Sequence, residues 1–160
     1  MHITYNEAFG QRLRQARVMR GYSLRGLADA LGGRVAHDFV PADFWRANLS
    51  TMTEKLLPQS ESYVWVTMER LDGFITLGYD VVHCLFVEPS RQHRGVGSSL
   101  LSHVKRSREK LCLKVYQENT GAKTFYEAHG FVISGETTCP YTGHAEFEME
   151  WEKTPEAPHA

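Results

Sequence analysis

Apolar residues recur at helical spacing in the first third of the chain and at strand spacing over much of the rest. From about Glu7 to Arg20, Phe9, Leu13 and Ala16 fall four and three apart, while Arg12, Arg14, Arg17 and Arg20 lie mainly on other faces, the pattern of an amphipathic helix. Gly21 stops it, Ser23 suits an N-cap, and Leu24, Leu27, Ala28 and Leu31 then repeat at helical spacing up to Gly32-Gly33. Residues 1–33 therefore read as a short helical hairpin. A second helical region runs from Ala42 to about Leu56, presents Phe44, Leu49, Met52 and Leu56, and ends before Leu57-Pro58.

The period then changes. Ser62 to Met68 and Gly73 to Gly78 are β-rich runs, and Asp72-Gly73 between them is a hairpin signal. Val81 to Val87 is a continuous apolar run suited to a central strand buried on both faces. Helix returns from Gly97, with Leu100, Leu101 and Val104 apolar. Leu111 to Tyr116 reads as a strand, Ala122 to His129 as a helix, Phe131 to Gly135 as a strand, and Ala145 to Glu152 alternates like a half-exposed strand. Strands and helices mixed in this way predict an α+β fold, a largely antiparallel mixed sheet flanked by helices. Thr154 to Ala160, with two prolines and no apolar anchor, reads as a disordered tail.

Composition adds bounds. A chain of 160 residues, 42% hydrophobic and 23% charged, is a one-domain length able to bury a core. The net charge of -1 argues against a protein basic throughout for nucleic acid. The first 34 residues nevertheless carry six arginines against Glu7 and Asp29, a local +4 that leaves -5 for the remainder. Cys84, Cys112 and Cys139 are widely spaced, with neither a CxxC pair nor a histidine at zinc-ligand spacing, so no metal site or disulfide framework is expected. No leader-like or membrane-spanning apolar run is visible, and a cytoplasmic chain with reduced thiols is the expectation.

The chemistry is concentrated in one stretch, Leu85-Phe86-Val87-Glu88-Pro89 followed by Gln92-His93-Arg94-Gly95-Val96-Gly97-Ser98 and an apolar helix. A strand that turns directly into a helix leaves several backbone N–H groups free at the helix start. Glycines let a phosphate approach the backbone, and the helix dipole adds roughly half a positive charge there. Arg91 and Arg94 add more, so a pyrophosphate is a natural occupant. The Rossmann pattern fails for want of a third glycine, and the P-loop pattern because no Gly-Lys-Ser/Thr follows.

One strand downstream stands a second block, Asn119-x-x-Ala122-x-x-Phe125-Tyr126-x-x-x-Gly130-Phe131. With the Q-x-x-G-x-G block behind a strand ending L-F-V-x-P, it makes residues 37–153 resemble a small bacterial GNAT-type N-acetyltransferase. The His37-Asp38-Phe39 stretch before the second helical region is similar to one subgroup. The resemblance implies a GNAT fold over residues 34–153 and transfer of an acetyl group from acetyl-coenzyme A to a primary amine of a small molecule, peptide or protein, by direct attack in a ternary complex. It implies that backbone N–H groups from Gln92 to Ser98 cradle the pyrophosphate. The edge of Leu85, Phe86 and Val87 would bond the pantetheine arm and polarise the acetyl carbonyl, as in other oxyanion sites. Asn119 would contact the cofactor, and the Tyr126 hydroxyl would lie near the sulfur as an acid for the departing thiolate. For the general base, His83 and Glu88 are the candidates, and His37 and Asp38 are candidates for the acceptor pocket. Each also has a structural reading: a core histidine, a turn residue and a helix start.

Residues 8–33 are similar to the first two helices of a Cro/repressor-type helix-turn-helix. After them Arg34 to Pro41 lacks the polar, base-reading helix that family requires, so nucleic acid is not expected as a partner. The first GNAT strand has three readings: Met1 to Tyr5, Arg17 to Tyr22, or absent, with the hairpin favoured. If it is absent, the exposed sheet edge would admit a second protomer, so a homodimer is among the expected partners. Two other functions fit the same residues: an acyl-coenzyme A sensing DNA-binding regulator on a degenerate GNAT fold, and a dimerising interaction module.

Overall fold

The computed structural model describes residues 2–5, 43, 60–68 and 70–155. Strand β1 is His2–Tyr5, β2 Glu61–Thr67, β3 Arg70–Gly78 and β4 Val81–Val87. Helix α1 is Val96–Lys105, β5 Lys110–Tyr116, α2 Thr120–Ala128, β6 Val132–Thr138 and β7 Ala145–Glu152. The strands form one seven-stranded sheet in the order β1-β2-β3-β4-β5-β7-β6. Every neighbouring pair is antiparallel except β4 and β5, which are joined by the crossover helix α1 as a parallel pair requires.

β1 settles the question of the first strand in favour of Met1 to Tyr5, since His2–Tyr5 pairs antiparallel with Tyr63–Val66. The edge that would have called for a second protomer is therefore covered. The remainder of the expected hairpin, residues 6–33, and the helix expected at 42–56 lie outside the described residues except for Asp43, which is helical.

Strand alternation decides where the core sits. Ile75 and Leu77 of β3, Leu111, Leu113 and Val115 of β5 and Met149 of β7 share one face with Leu100, Leu101 and Val104 of α1 and with Tyr126 and Phe131. Burying a side chain of this size contributes about 1.5–3 kcal/mol, so this layer holds both helices to the sheet. Phe74 and Thr76, on the other face, are also buried.

Two expectations need correction. The hairpin does not turn at Asp72-Gly73. β2 and β3 pair from Glu61↔Leu77 to Thr67↔Arg70, so the chain reverses beyond Thr67, where Met68 has φ 49°. Asp72 is instead the extra residue of a bulge opposite Trp65 and Val66. β4 is central, but from Cys84 to Val87 it is half-buried rather than buried on both faces. Its pairing with β5 is short: Val81↔Cys112 is the single register position the two share, and beyond it the strands part.

Candidate active site

The parting of β4 and β5 makes a wedge. At its closed end the Cys112 N–H donates to the Asp80 carbonyl at 2.8 Å. Arg108 staples that end, with its guanidinium on the Tyr79 carbonyl at 3.4 Å, on Asp80 at 3.7 Å and on Glu61. Toward the open end, β4 keeps its pairing with β3 through Gly73↔Val87, while among the described residues no strand pairs with its other edge. An unpaired strand edge is a template for an extended, amide-bearing ligand.

The chain leaves the wedge through a turn built by Glu88 and Pro89. The Glu88 N–H donates to the Asp72 carbonyl at 2.8 Å, and its own carbonyl accepts from the Arg91 N–H at 2.7 Å. The Glu88 carboxylate accepts the Ser90 hydroxyl. Gln92 folds back, its Nε2 donating to the Val87 carbonyl at 3.1 Å, which pins the loop to the end of β4. Asp72, buried in its bulge, lies 3.7 Å from Arg91 Nε. Sequence reading missed this residue because Asp-Gly is also the commonest hairpin signal.

Glycine placement completes the cradle. Gly95 caps α1 with φ 84°, and a Cβ there would meet nothing within 4 Å. The first helical bond runs from Ser99 N–H to the Gly95 carbonyl at 2.9 Å, so the N–H groups of Val96, Gly97 and Ser98 are the orphan donors of the first turn. Open space against a positive helix end suits an anion. Gly97 has a different task, since its Cβ would stand 3.4 Å from the Phe125 ring and from Val87. It sits where α1 meets α2 and the end of β4, and a Cβ there would make close van der Waals contact with both.

Tyr126 enters from α2, its ring 5.3 Å from Phe125 and 5.4 Å from Phe131 between centroids. Burial pushes its phenol pKa up, with Cys84 adding to the shift. Burial likewise pushes the Cys84 thiol up to about 12, so it is neutral and a poor nucleophile. Asn119 caps α2, its Oδ1 accepting from the Ala122 N–H at 3.1 Å. His83 is the bulged residue of β4, between the pairs Leu77↔Val82 and Thr76↔Cys84. Its ring fills the space over Gly78, where a Cβ would lie 2.4 Å from Nε2. Burial lowers its pKa. Of the sequence candidates, Leu85 to Val87 lie on β4 where it parts from β5 and Gln92 to Ser98 follow its end, Tyr126 lies in the core near Cys84 of β4, and the His83 ring turns to Gly78 of β3. Asn119 Oδ1 caps α2, and the Glu88 carboxylate accepts Ser90 in the turn. His37 and Asp38 lie outside the described residues.

The family model of the acetyltransferase (GNAT) domain matches residues 60–133. Over 98 residues the chain is 33% identical to the peptidyl-lysine N-acetyltransferase YiaC of Escherichia coli (strain K12), covering 61% of this chain and 67% of that one. The chain belongs to the GNAT acetyltransferase family. Its reaction is transfer of an acetyl group from acetyl-coenzyme A to an amine. Among solved structures, apo YjaB from Escherichia coli superposes with a TM-score of 0.69 at 21% identity, over 94% of this chain and 97% of that one. An aminoglycoside 6'-N-acetyltransferase solved with coenzyme A superposes at 0.62 with 20% identity, over 98% and 99%. Both share the GNAT fold. The match leaves residues 8–33 outside the family region, and nothing found supports their likeness to a helix-turn-helix. Among the described residues no helix is long and apolar enough to cross a membrane.

Proposed function

We propose that the protein acetylates lysine side-chain amines of peptides or proteins in a single ternary complex with acetyl-coenzyme A. The observation that carries this reading is the wedge between β4 and β5, with orphan amides at its mouth and Tyr126 beside it. The likeness to a peptidyl-lysine N-acetyltransferase supports the acceptor class. In this reading Val96, Gly97 and Ser98 hold the pyrophosphate through their N–H groups, within the loop from Gln92 to Gly95. Arg94, exposed beside them, adds charge. The free edge of Leu85 to Val87 aligns the pantetheine arm and polarises the carbonyl. Acetyl-coenzyme A supplies the activated thioester.

Two protons must move. An amine loses one before it attacks, and the departing thiolate gains one. A raised phenol pKa keeps Tyr126 protonated, so Tyr126 gives its proton to the sulfur. A lowered imidazole pKa keeps His83 neutral near pH 7, so His83 takes the proton of the amine. Glu88 serves the turn.

Thiol release from acetyl-coenzyme A, measured over a panel of lysine peptides and small amines, tests the reading. Peptides should be the better acceptors, and Tyr126→Phe should lower kcat by about 10²-fold. The rate should rise with pH through a value below the ordinary imidazole range, because the base works when neutral. It should show no alkaline fall from Tyr126 below about pH 10, the ordinary phenol value. His83→Ala should remove the acidic limb. Coenzyme A binding without turnover on any amine would overturn the assignment of an acetyl transfer site.

A further inference from the structure

We infer that His129 is a positioning residue for the acetyl donor, locking the phosphate-holding turn of α1 to the tyrosine-bearing helix α2 through Ser98. The inference rests on the donor site proposed above. His129 Nδ1 lies 2.7 Å from the Phe125 carbonyl oxygen. A carbonyl can only accept, so Nδ1 carries the hydrogen. In the neutral ring Nε2 is then an acceptor, and the Ser98 hydroxyl, 3.0 Å away, donates to it.

The end of α2 explains why a histidine stands there. The His129 N–H turns to the Tyr126 carbonyl at 3.0 Å, the Gly130 N–H to Glu127 at 3.0 Å and the Phe131 N–H to Tyr126 at 3.1 Å. That leaves the Phe125 carbonyl among the orphan acceptors of the helix end, and the His129 ring satisfies it. Gly130, at φ 83°, supplies the left-handed residue that such an ending uses. The His129 carbonyl in turn accepts Lys105 Nζ, whose ammonium also lies 4.6 Å from the Trp151 ring and 5.2 Å from Phe131. Ser98 and Lys105 are two helical turns apart on one face of α1, and both end on His129.

The consequence concerns the donor. Its pyrophosphate is assigned to amides of α1, and its sulfur to Tyr126 of α2, three residues before His129. The two ends of one ligand are therefore gripped by different helices. Phe125 packing over Gly97 holds the helices together, but apolar contact is non-directional. The Ser98–His129 hydrogen bond fixes their register. Because the Ser98 hydroxyl is spent on His129, its N–H and not its side chain serves the phosphate.

The test compares acetyl-coenzyme A with acetyl-pantetheine, which lacks the pyrophosphate, in the wild type, Ser98→Ala, His129→Asn, His129→Gln and the double variant Ser98→Ala/His129→Asn. Asn keeps an amide near the Phe125 carbonyl, whereas Gln reaches Ser98. Ser98→Ala and His129→Asn should each raise KM for acetyl-coenzyme A about three- to tenfold, the scale of one hydrogen bond, with kcat within about twofold. The double variant should be no worse than the poorer single one, and His129→Gln should recover most of the loss. With acetyl-pantetheine the loss in His129→Asn should disappear. Additive losses, or equal losses with both donors, would overturn the inference. Absence of wild-type turnover with either donor would instead sink the proposed function. In that case coenzyme A affinity across the same variants, by calorimetry, tests His129 with the same non-additive pattern expected.

Discussion

The two glycines of the cradle motif look alike in sequence, and a single reading, close approach of a phosphate, covers both. Their surroundings separate them. Gly95 sits at φ 84° with open space where a side chain would be, so the constraint is backbone conformation. An alanine there costs about 1 kcal/mol for the left-handed conformation, and its Cβ would intrude on the room left for the anion. Gly97 has an ordinary helical position, and an added Cβ would make 3.4 Å contacts with Phe125 and Val87. Alanine is favoured over glycine inside a helix by up to about 1 kcal/mol. In urea unfolding Gly95→Ala should therefore lose stability, while Gly97→Ala should match or exceed the wild type. The reverse order would show that helix packing, not the left-handed turn, limits this loop. His93, at φ 59°, shows that the loop holds a second left-handed residue even where the side chain is not glycine.

At the scale of elements, β3 best shows how a local signal can mislead. Asp-Gly favours a two-residue hairpin, yet here both residues lie within a strand. Asp72 is pushed into a bulge where its carbonyl receives Glu88 and its side chain faces Arg91. Gly73 follows because β3 and β4 run so close that a Cβ would come 2.7 Å from the Phe86 carbonyl oxygen and 3.1 Å from Val96. Backbone cannot yield as a side-chain tip can. Gly73→Ala should cost about 1–3 kcal/mol, the usual range for overpacking, and a thermal midpoint within a degree of the wild type would contradict the close approach. Strands β4, β5 and β7 and both helices were legible because their apolar periods are strong and local. The glycine turn into α1 was legible because strand, glycines and helix adjoin in sequence. The bulge at Asp72, the staple by Arg108 and the bond from Ser98 to His129 were not. Each joins residues far apart in the chain, and no local period encodes such a pairing.

Among the described residues the sheet is two halves, β1 to β4 and β5-β7-β6, joined by one paired position and the Arg108 staple at the closed end. The core layer beneath α1 and α2 spans both halves, so the wedge is an opening in hydrogen bonding and not a break in packing. A donor lying along β4 would complete that bonding, binding the folded chain and not the unfolded one. At a hundred times its dissociation constant such a ligand contributes about 2.7 kcal/mol, a midpoint rise of roughly 5–10 °C for a domain of this size. The same argument says where the stabilisation should appear. Hydrogen exchange with coenzyme A present should slow at the amides of Leu85 to Val87 and of Val96 to Ser98. It should leave the outer edge of β6 unchanged, because β6 lies three strands from β4. Protection confined to β6, with none in β4, would place the ligand elsewhere and remove the wedge from the mechanism.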